Sequence, residues 1–151
     1  MSAGYFGTEV LRDISFEIHE PAVYVVLGPN GAGKTTLFRA LSGVLARTRG
    51  EVTVGGESID RAGAHGRMHY LSHLDGLPDS LRVRETLDFY ARVERAGTAD
   101  IERVLDELEI RELADRFPAQ LSAGQRKRVS IARIFLRERS IYLLDEPTSS
   151  L

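Results

Sequence analysis

Residues 23–36 read Val23-Tyr24-Val25-Val26-Leu27-Gly28-Pro29-Asn30-Gly31-Ala32-Gly33-Lys34-Thr35-Thr36, and the fold is decided there. Val23 to Leu27 is short, wholly apolar and rich in β-branched residues, which predicts a strand buried on both faces of a parallel sheet. Leu37, Leu41, Val44 and Leu45 follow at helical spacing. Between them the residues fit the pattern Gly, four residues, Gly-Lys-Thr. Strand, glycine loop and helix together predict a phosphate-binding loop, because successive backbone N–H groups converge at a helix N-terminus and attract anions.

Each residue type in that loop has a physical task. Gly28, Gly31 and Gly33 allow the backbone close to the phosphates, and Pro29, Asn30, Ala32 and Thr36 complete the binding stretch. Lys34 is a compact charge able to reach the β- and γ-phosphates. The Thr35 hydroxyl is suited to one position in the octahedral shell of Mg²⁺.

Composition narrows the remaining possibilities. The 151 residues suffice for one hydrophobic core and hardly for two, so one domain is expected. Basic and acidic residues number 20 and 22, for a formal charge of −2, which excludes a globally basic nucleic-acid binder. There is no cysteine, hence no disulfide, thiolate metal site or cysteine nucleophile, and the cytosol is the expected compartment. The longest apolar run, Ala22 to Leu27, falls far short of the roughly 20 residues that span a bilayer. The first residues lack a basic segment followed by an apolar one and are not expected to be a secretory signal. Any work at a membrane is expected to go through a partner.

Around the loop, the chain alternates between strand and helix patterns. Ile14, Phe16 and Ile18 alternate with polar residues and predict a half-exposed strand, paired with a short strand around Val10 and Leu11. Glu51 to Val54 reads as a strand turning at Gly55-Gly56, and Met68 to Leu71 as another. Val83, Leu87, Tyr90 and Ala91 form one helical stripe and Ile101, Val104, Leu105 and Leu108 a second, divided at Gly97. Arg82 stands where a capping Ser or Thr would pair with Glu85, so the first of these helices is expected to begin raggedly. Ser122-Ala123-Gly124-Gln125 has capping-box spacing ahead of a helix bearing Val129, Ala132, Phe135 and Leu136. Ile141-Tyr142-Leu143-Leu144 then predicts a buried strand delivering Asp145 and Glu146 to the C-terminal edge of the sheet, where α/β folds bind ligands.

The phosphate loop, Leu121-Ser122-Ala123-Gly124-Gln125 and Leu143-Leu144-Asp145-Glu146-Pro147 together resemble the nucleotide-binding domain of ABC ATPases, over nearly the whole chain. The resemblance implies an α/β P-loop NTPase core with a mainly parallel sheet, an N-terminal antiparallel β layer and an inserted helical subdomain. On that division residues 1–79 and 138–151 are core and about 80–137 the helical subdomain. It implies ATP and Mg²⁺ as cofactors, Asp145 holding the metal, and Glu146 polarising the attacking water as general base. Two such domains face each other head to tail, so Ser122 and Gly124 would meet the γ-phosphate on the partner's Lys34. Gln125 need do no more than cap. An aromatic ahead of the first long strand stacks on adenine: Phe6-Gly7 fits the usual pair better, and Tyr5 stays open. Membrane-spanning transporter subunits and a peripheral position on the cytoplasmic face follow from the same likeness, with no nucleic acid.

Departures from the family pattern carry information. Tyr70-Leu71-Ser72-His73 places His73 where a Gln usually senses Mg²⁺, and an imidazole suits that hard cation poorly. Ala123 replaces a usual Gly, favouring the helix by under about 1 kcal/mol. With Ser72-His73-Leu74-Asp75-Gly76-Leu77 and Arg84 to Tyr90, these features resemble most the ATP-binding subunits of haem exporters serving cytochrome c maturation, Ser72 standing where that subfamily tends to have Gly. The chain stops at Ser149-Ser150-Leu151 where the family continues with an Asp, a further core strand and a His on the γ-phosphate. A C-terminally truncated domain with an open strand edge at Ile141 to Leu144 is therefore expected.

Other readings are weaker. His65, His69 and His73 recur every fourth residue, but Gly63 and Gly66 disfavour a helical metal or haem face and surface histidines are expected. Arg126-Lys127-Arg128, with Arg133, Arg137 and Arg139, reads as a solvated helix face near the partner's phosphates rather than a nucleic-acid stripe. Glu102, Asp106, Glu107 and Glu109 read as one solvated acidic face. The functional alternatives are another ABC transporter ATPase such as a drug or lipid exporter, a soluble ABC ATPase acting on ribosomes or DNA, and a nucleotide-binding fragment without turnover, the last being the expectation for the 151 residues as they stand. The soluble class usually carries two such domains or a long coiled-coil insertion, and neither is present.

Overall fold

The computed structural model describes residues 1–59, 66–72 and 76–147. The chain forms two compact units, Met1–Tyr70 and Leu71–Leu151.

The first unit is built on a three-stranded antiparallel sheet. β1 (Ser2–Tyr5) lies between β2 (Thr8–Leu11) and β3 (Arg47–Arg49), with Tyr5 opposite Thr8 and Ala3 opposite Arg47. β2 thus takes Ser2–Tyr5 as its partner, not the predicted strand at Ile14 to Ile18. Those residues are irregular, with Phe16 and Ile18 exposed, and among the described residues no strand lies on the outer edge of β2. α1 (Lys34–Leu41) supplies Ala40 to a small core with Ala3 and Leu11, flanked by Met1, Ile14, Leu37 and Leu45. β4 (Thr53–Val54) and β5 (Glu57–Ser58) form the hairpin expected around Gly55-Gly56; β6 (Met68–Leu71) follows, its last residue, Leu71, being the first of the second unit.

Val23 to Leu27 departs most from expectation. It forms no strand, and Val23 and Leu27 are 92% and 86% exposed. A strand buried on both faces is stabilised by ladders on both edges and layers on both sides. Among the described residues no strand pairs with it, so its composition does not by itself impose the extended, buried state.

The second unit holds the larger core. α2 (Val83–Glu94), α3 (Thr98–Glu107) and α4 (Ala123–Phe135) bury Val83, Leu87, Ala91, Ile101, Val104, Leu105, Val129 and Ala132 against one another. A fully buried leucine such as Leu105 contributes about 2–5 kcal/mol by the usual cost of truncation to Ala. Both predicted stripes face this core, and Gly97 precedes α3 with its N–H donating to the Asp100 carboxylate at 2.8 Å.

α2 begins sharply, against expectation. The Glu85 carboxylate accepts from the Arg82 N–H at 2.7 Å. The next two N–H groups, of Val83 and Arg84, donate to the carbonyls of Arg116 at 3.0 Å and Ala114 at 2.9 Å. Carbonyls more than two dozen residues away thus satisfy the donors that a capping side chain would have met.

The basic stretch is solvated only in part, Arg137 being exposed and Lys127 buried. Arg128 donates to the carbonyls of Leu108 and Glu109, Arg137 to that of Glu94, and Arg139 pairs with the Glu94 carboxylate. Arg133 donates to the Gly76 carbonyl at 3.2 Å and the Tyr90 hydroxyl at 3.0 Å while its guanidinium lies over the Tyr90 ring. Gly76 has φ 61, and a Cβ there would sit 2.5 Å from the Arg133 guanidinium, so only glycine permits this approach. The acidic face is paired too: Arg111 bridges Glu102 and Asp106 at 2.6 Å each and Arg84 reaches Glu102 at 2.7 Å. These arginines hold both carboxyls below the usual carboxylate range. β7 (Ile141–Leu144) is half-buried rather than buried, with Leu144 exposed.

Candidate functional site

The phosphate loop closes into α1 as expected. Gly33 precedes the helix at φ 94 and ψ 10, and a Cβ on it would stand 3.1 Å from Leu11 Cδ2, so both backbone and space call for glycine. The Ala32 N–H turns back to the Pro29 carbonyl at 3.2 Å, and Thr36 is buried beneath the loop's end. The Lys34 ammonium donates to the Gly28 carbonyl at 2.8 Å and the Pro29 carbonyl at 3.0 Å. Gly28, Pro29, Asn30, Gly31 and Ala32 are exposed around it, while Thr35 is half-buried. The first turn of α1 carries no acidic residue. A helix N-terminus, an ammonium and an open glycine-rich rim add up to a seat for an anion.

The two candidate aromatics are separated by their surroundings. Arg39 on α1 donates to the Tyr5 hydroxyl at 3.2 Å. Its hydrogen bonds to Tyr5 and then Tyr70 raise the guanidinium pKa further above its ordinary value. Phe6 is fully exposed at the tip of the β1–β2 hairpin, at φ 50, where a bulky residue is rarely found. Tyr5 is therefore engaged and Phe6 offers an open ring.

In the second unit, the capping box at the head of α4 is complete. The Ser122 hydroxyl accepts from the Gln125 N–H at 3.2 Å, and the Gln125 side-chain oxygen accepts from the Ser122 N–H at 2.9 Å. Gln125 caps, as expected, and Gly124 lies in the first turn. Ser122→Ala is expected to lower stability by about 1 kcal/mol, read as a lower denaturant midpoint with an unchanged slope.

Beyond β7, Asp145 is 2% exposed and its N–H donates to the Leu71 carbonyl at 2.9 Å. Glu146 is exposed, at φ 51, with its carbonyl accepting from the Lys127 ammonium at 3.2 Å. The reading of the sequence missed Lys127, placing it with the solvated basic residues, yet it is 5% exposed. The available signal was its spacing with Ser130 and Ile134, both buried on α4.

His69 is buried in the first unit, while His65 and His73 lie outside the described residues, as do Thr148 to Leu151. Among the described residues no cluster of three or more His, Cys, Asp or Glu could hold a metal ion. That excludes a protein-only cage there, but not Mg²⁺, which takes one or two protein oxygens and fills its shell with water and phosphate. The Thr35 hydroxyl and the Asp145 carboxylate are donors of that hard kind.

A family model described as ABC transporter matches residues 11–149. The chain belongs to the ABC transporter family. Cytochrome c biogenesis ATP-binding export protein CcmA of Roseobacter denitrificans is 39% identical over 96% of the chain and 65% of its own length. CcmA of Rhodopseudomonas palustris is 40% identical over 96% of the chain and 72% of its own length. The sn-glycerol-3-phosphate import ATP-binding protein UgpC of Cereibacter sphaeroides is 37% identical over 97% of the chain and 44% of its own length. A solved ATP-binding subunit of an ABC transporter superposes with a TM-score of 0.81 at 28% identity, over 99% of the chain and 65% of that subunit. The ABC ATP-binding fold, an α/β P-loop NTPase, is thus the fold of this member. The chain spans 65% of the first of these relatives. No described helix of the ABC chain is long and apolar enough to cross a membrane.

Proposed function

We propose that this ABC family member binds Mg-ATP on the phosphate loop and belongs to a motor that hydrolyses it to drive transport. The observation carrying the reading is Lys34, whose ammonium rests on two loop carbonyls at the head of α1 and can exchange them for phosphate oxygens. A phosphate offers that ammonium full negative charge in place of carbonyl dipoles, which makes the exchange favourable. Backbone N–H groups of Gly31 and of Gly33 to Thr36 take the remaining phosphate oxygens, and Phe6 stacks on the base. Thr35 and Asp145 are the assigned Mg²⁺ oxygens, and the ion supplies charge neutralisation at the phosphates. Glu146 takes a proton from the attacking water. Ser122 and Gly124 meet the nucleotide of a second such domain, head to tail, and residues 80–137 form the helical subdomain between core segments.

The likeness to the CcmA proteins supports export in cytochrome c biogenesis, with haem as the cargo, membrane-spanning subunits as partners and the cytoplasmic membrane face as the place of work. The likeness to the importer UgpC keeps another ABC transport role as the second reading. The test is binding of a fluorescent ATP analogue with and without Mg²⁺, followed by phosphate release. Magnesium-dependent saturable binding is expected, and its absence would remove the nucleotide reading. Cells lacking the gene are expected to lose covalent haem on c-type cytochromes; intact haem staining would leave the second reading standing.

A further inference from the structure

Lys127 is a buried charge that the nucleotide reading does not use. It lies on α4, one and a half turns past Ser122, and its ammonium is committed to the Glu146 carbonyl. An ammonium withdrawn from water is tolerated where it gains such a partner, so the contact is a strong constraint on both ends. Glu146 itself adopts a left-handed backbone at φ 51, uncommon for a residue with a side chain and costing energy that neighbouring contacts can offset. On the other side of that residue, the Asp145 N–H is fixed to the Leu71 carbonyl. The chain is therefore held at the Asp145 N–H on one side and at the Glu146 carbonyl on the other, while the Glu146 side chain stays exposed.

We propose that Lys127 is a positioning residue: its grip on the Glu146 carbonyl holds the left-handed backbone that directs the Glu146 carboxylate toward the attacking water. The proposal rests on the reading of Glu146 as general base.

The test compares Lys127→Met, Lys127→Arg, Glu146→Gln and the Lys127→Met/Glu146→Gln double variant. Readouts are kcat and KM for Mg-ATP, ATP-analogue binding, and hydrogen exchange at the Asp145 and Glu146 amides with α4 as internal control. Lys127→Met is expected to lower kcat about tenfold or more with KM and binding within about twofold, and Lys127→Arg to recover part of the loss. Exchange should rise at Asp145 and Glu146 while α4 stays protected. In the double variant Lys127→Met should add nothing to the loss from Glu146→Gln, since both act through one carboxylate. Unchanged kcat in Lys127→Met, full additivity in the double variant, or loosening of the whole of α4 would each overturn the proposal. If Glu146→Gln leaves turnover unchanged, the base reading fails separately, and if the unmodified chain has no turnover the kinetic comparisons drop out for every variant alike. Exchange then decides for Lys127: a local rise supports the grip, and none overturns it.

Discussion

In a version of the domain that turns over ATP, Glu146→Gln is expected to keep the parent's affinity for ATP while hydrolysis falls by about 10²–10⁴-fold, the usual span for removing a positioned general base. The amide has the shape of the carboxylate but cannot accept a proton at neutral pH. The backbone around the residue should hold. The Glu146 side chain is exposed, and the Lys127 contact is to its carbonyl, which the substitution leaves in place. Asp145 keeps its buried position and its N–H bond to Leu71. Phosphate release at saturating Mg-ATP, set beside analogue binding, checks both halves. Unchanged turnover would sink the assignment of Glu146.

Lys34→Ala is expected to weaken ATP binding by about 10–150-fold, the equivalent of the 1.5–3 kcal/mol typical of hydrogen bonds to charged groups. The fold should hardly notice, because the bonds from Lys34 to the Gly28 and Pro29 carbonyls are exposed and water can replace them. Calorimetric titration of ATP beside a denaturant melt separates the two effects. Undiminished affinity would remove Lys34 from the phosphate site, and a large loss of stability would recast it as a structural latch. Lys34→Arg should not rescue binding fully, since a planar guanidinium does not replace a compact ammonium in a narrow loop.

What could be read from the chain alone was local. The phosphate loop, the Gly55-Gly56 hairpin, the helical stripes divided at Gly97 and the Ser122–Gln125 box each depend on residues within a few positions of one another. Their geometry follows from glycine freedom, helical period and side-chain capping, which short stretches carry whole. The three motifs together also sufficed to indicate the ABC family, which the match over residues 11–149 shows.

Misreadings arose wherever a distant partner decided the outcome. The start of α2 looked uncapped because its partners are the carbonyls of Ala114 and Arg116. The arginines of α4 and beyond looked solvated because a charged side chain does not announce the carbonyl or ring it will meet, as Arg133 meets Gly76 and Tyr90. Lys127 was missed for the same reason.

The sequence by itself determined the phosphate loop, the order of the helices, the capping of α4 and membership of the ABC family, because each is written in short-range spacing. Only the tertiary structure decided that β2 pairs with Ser2–Tyr5, that Val23 to Leu27 is exposed, and that Lys127 grips Glu146. Those outcomes depend on which backbone groups and surfaces, far apart in the chain, are brought close enough to satisfy one another.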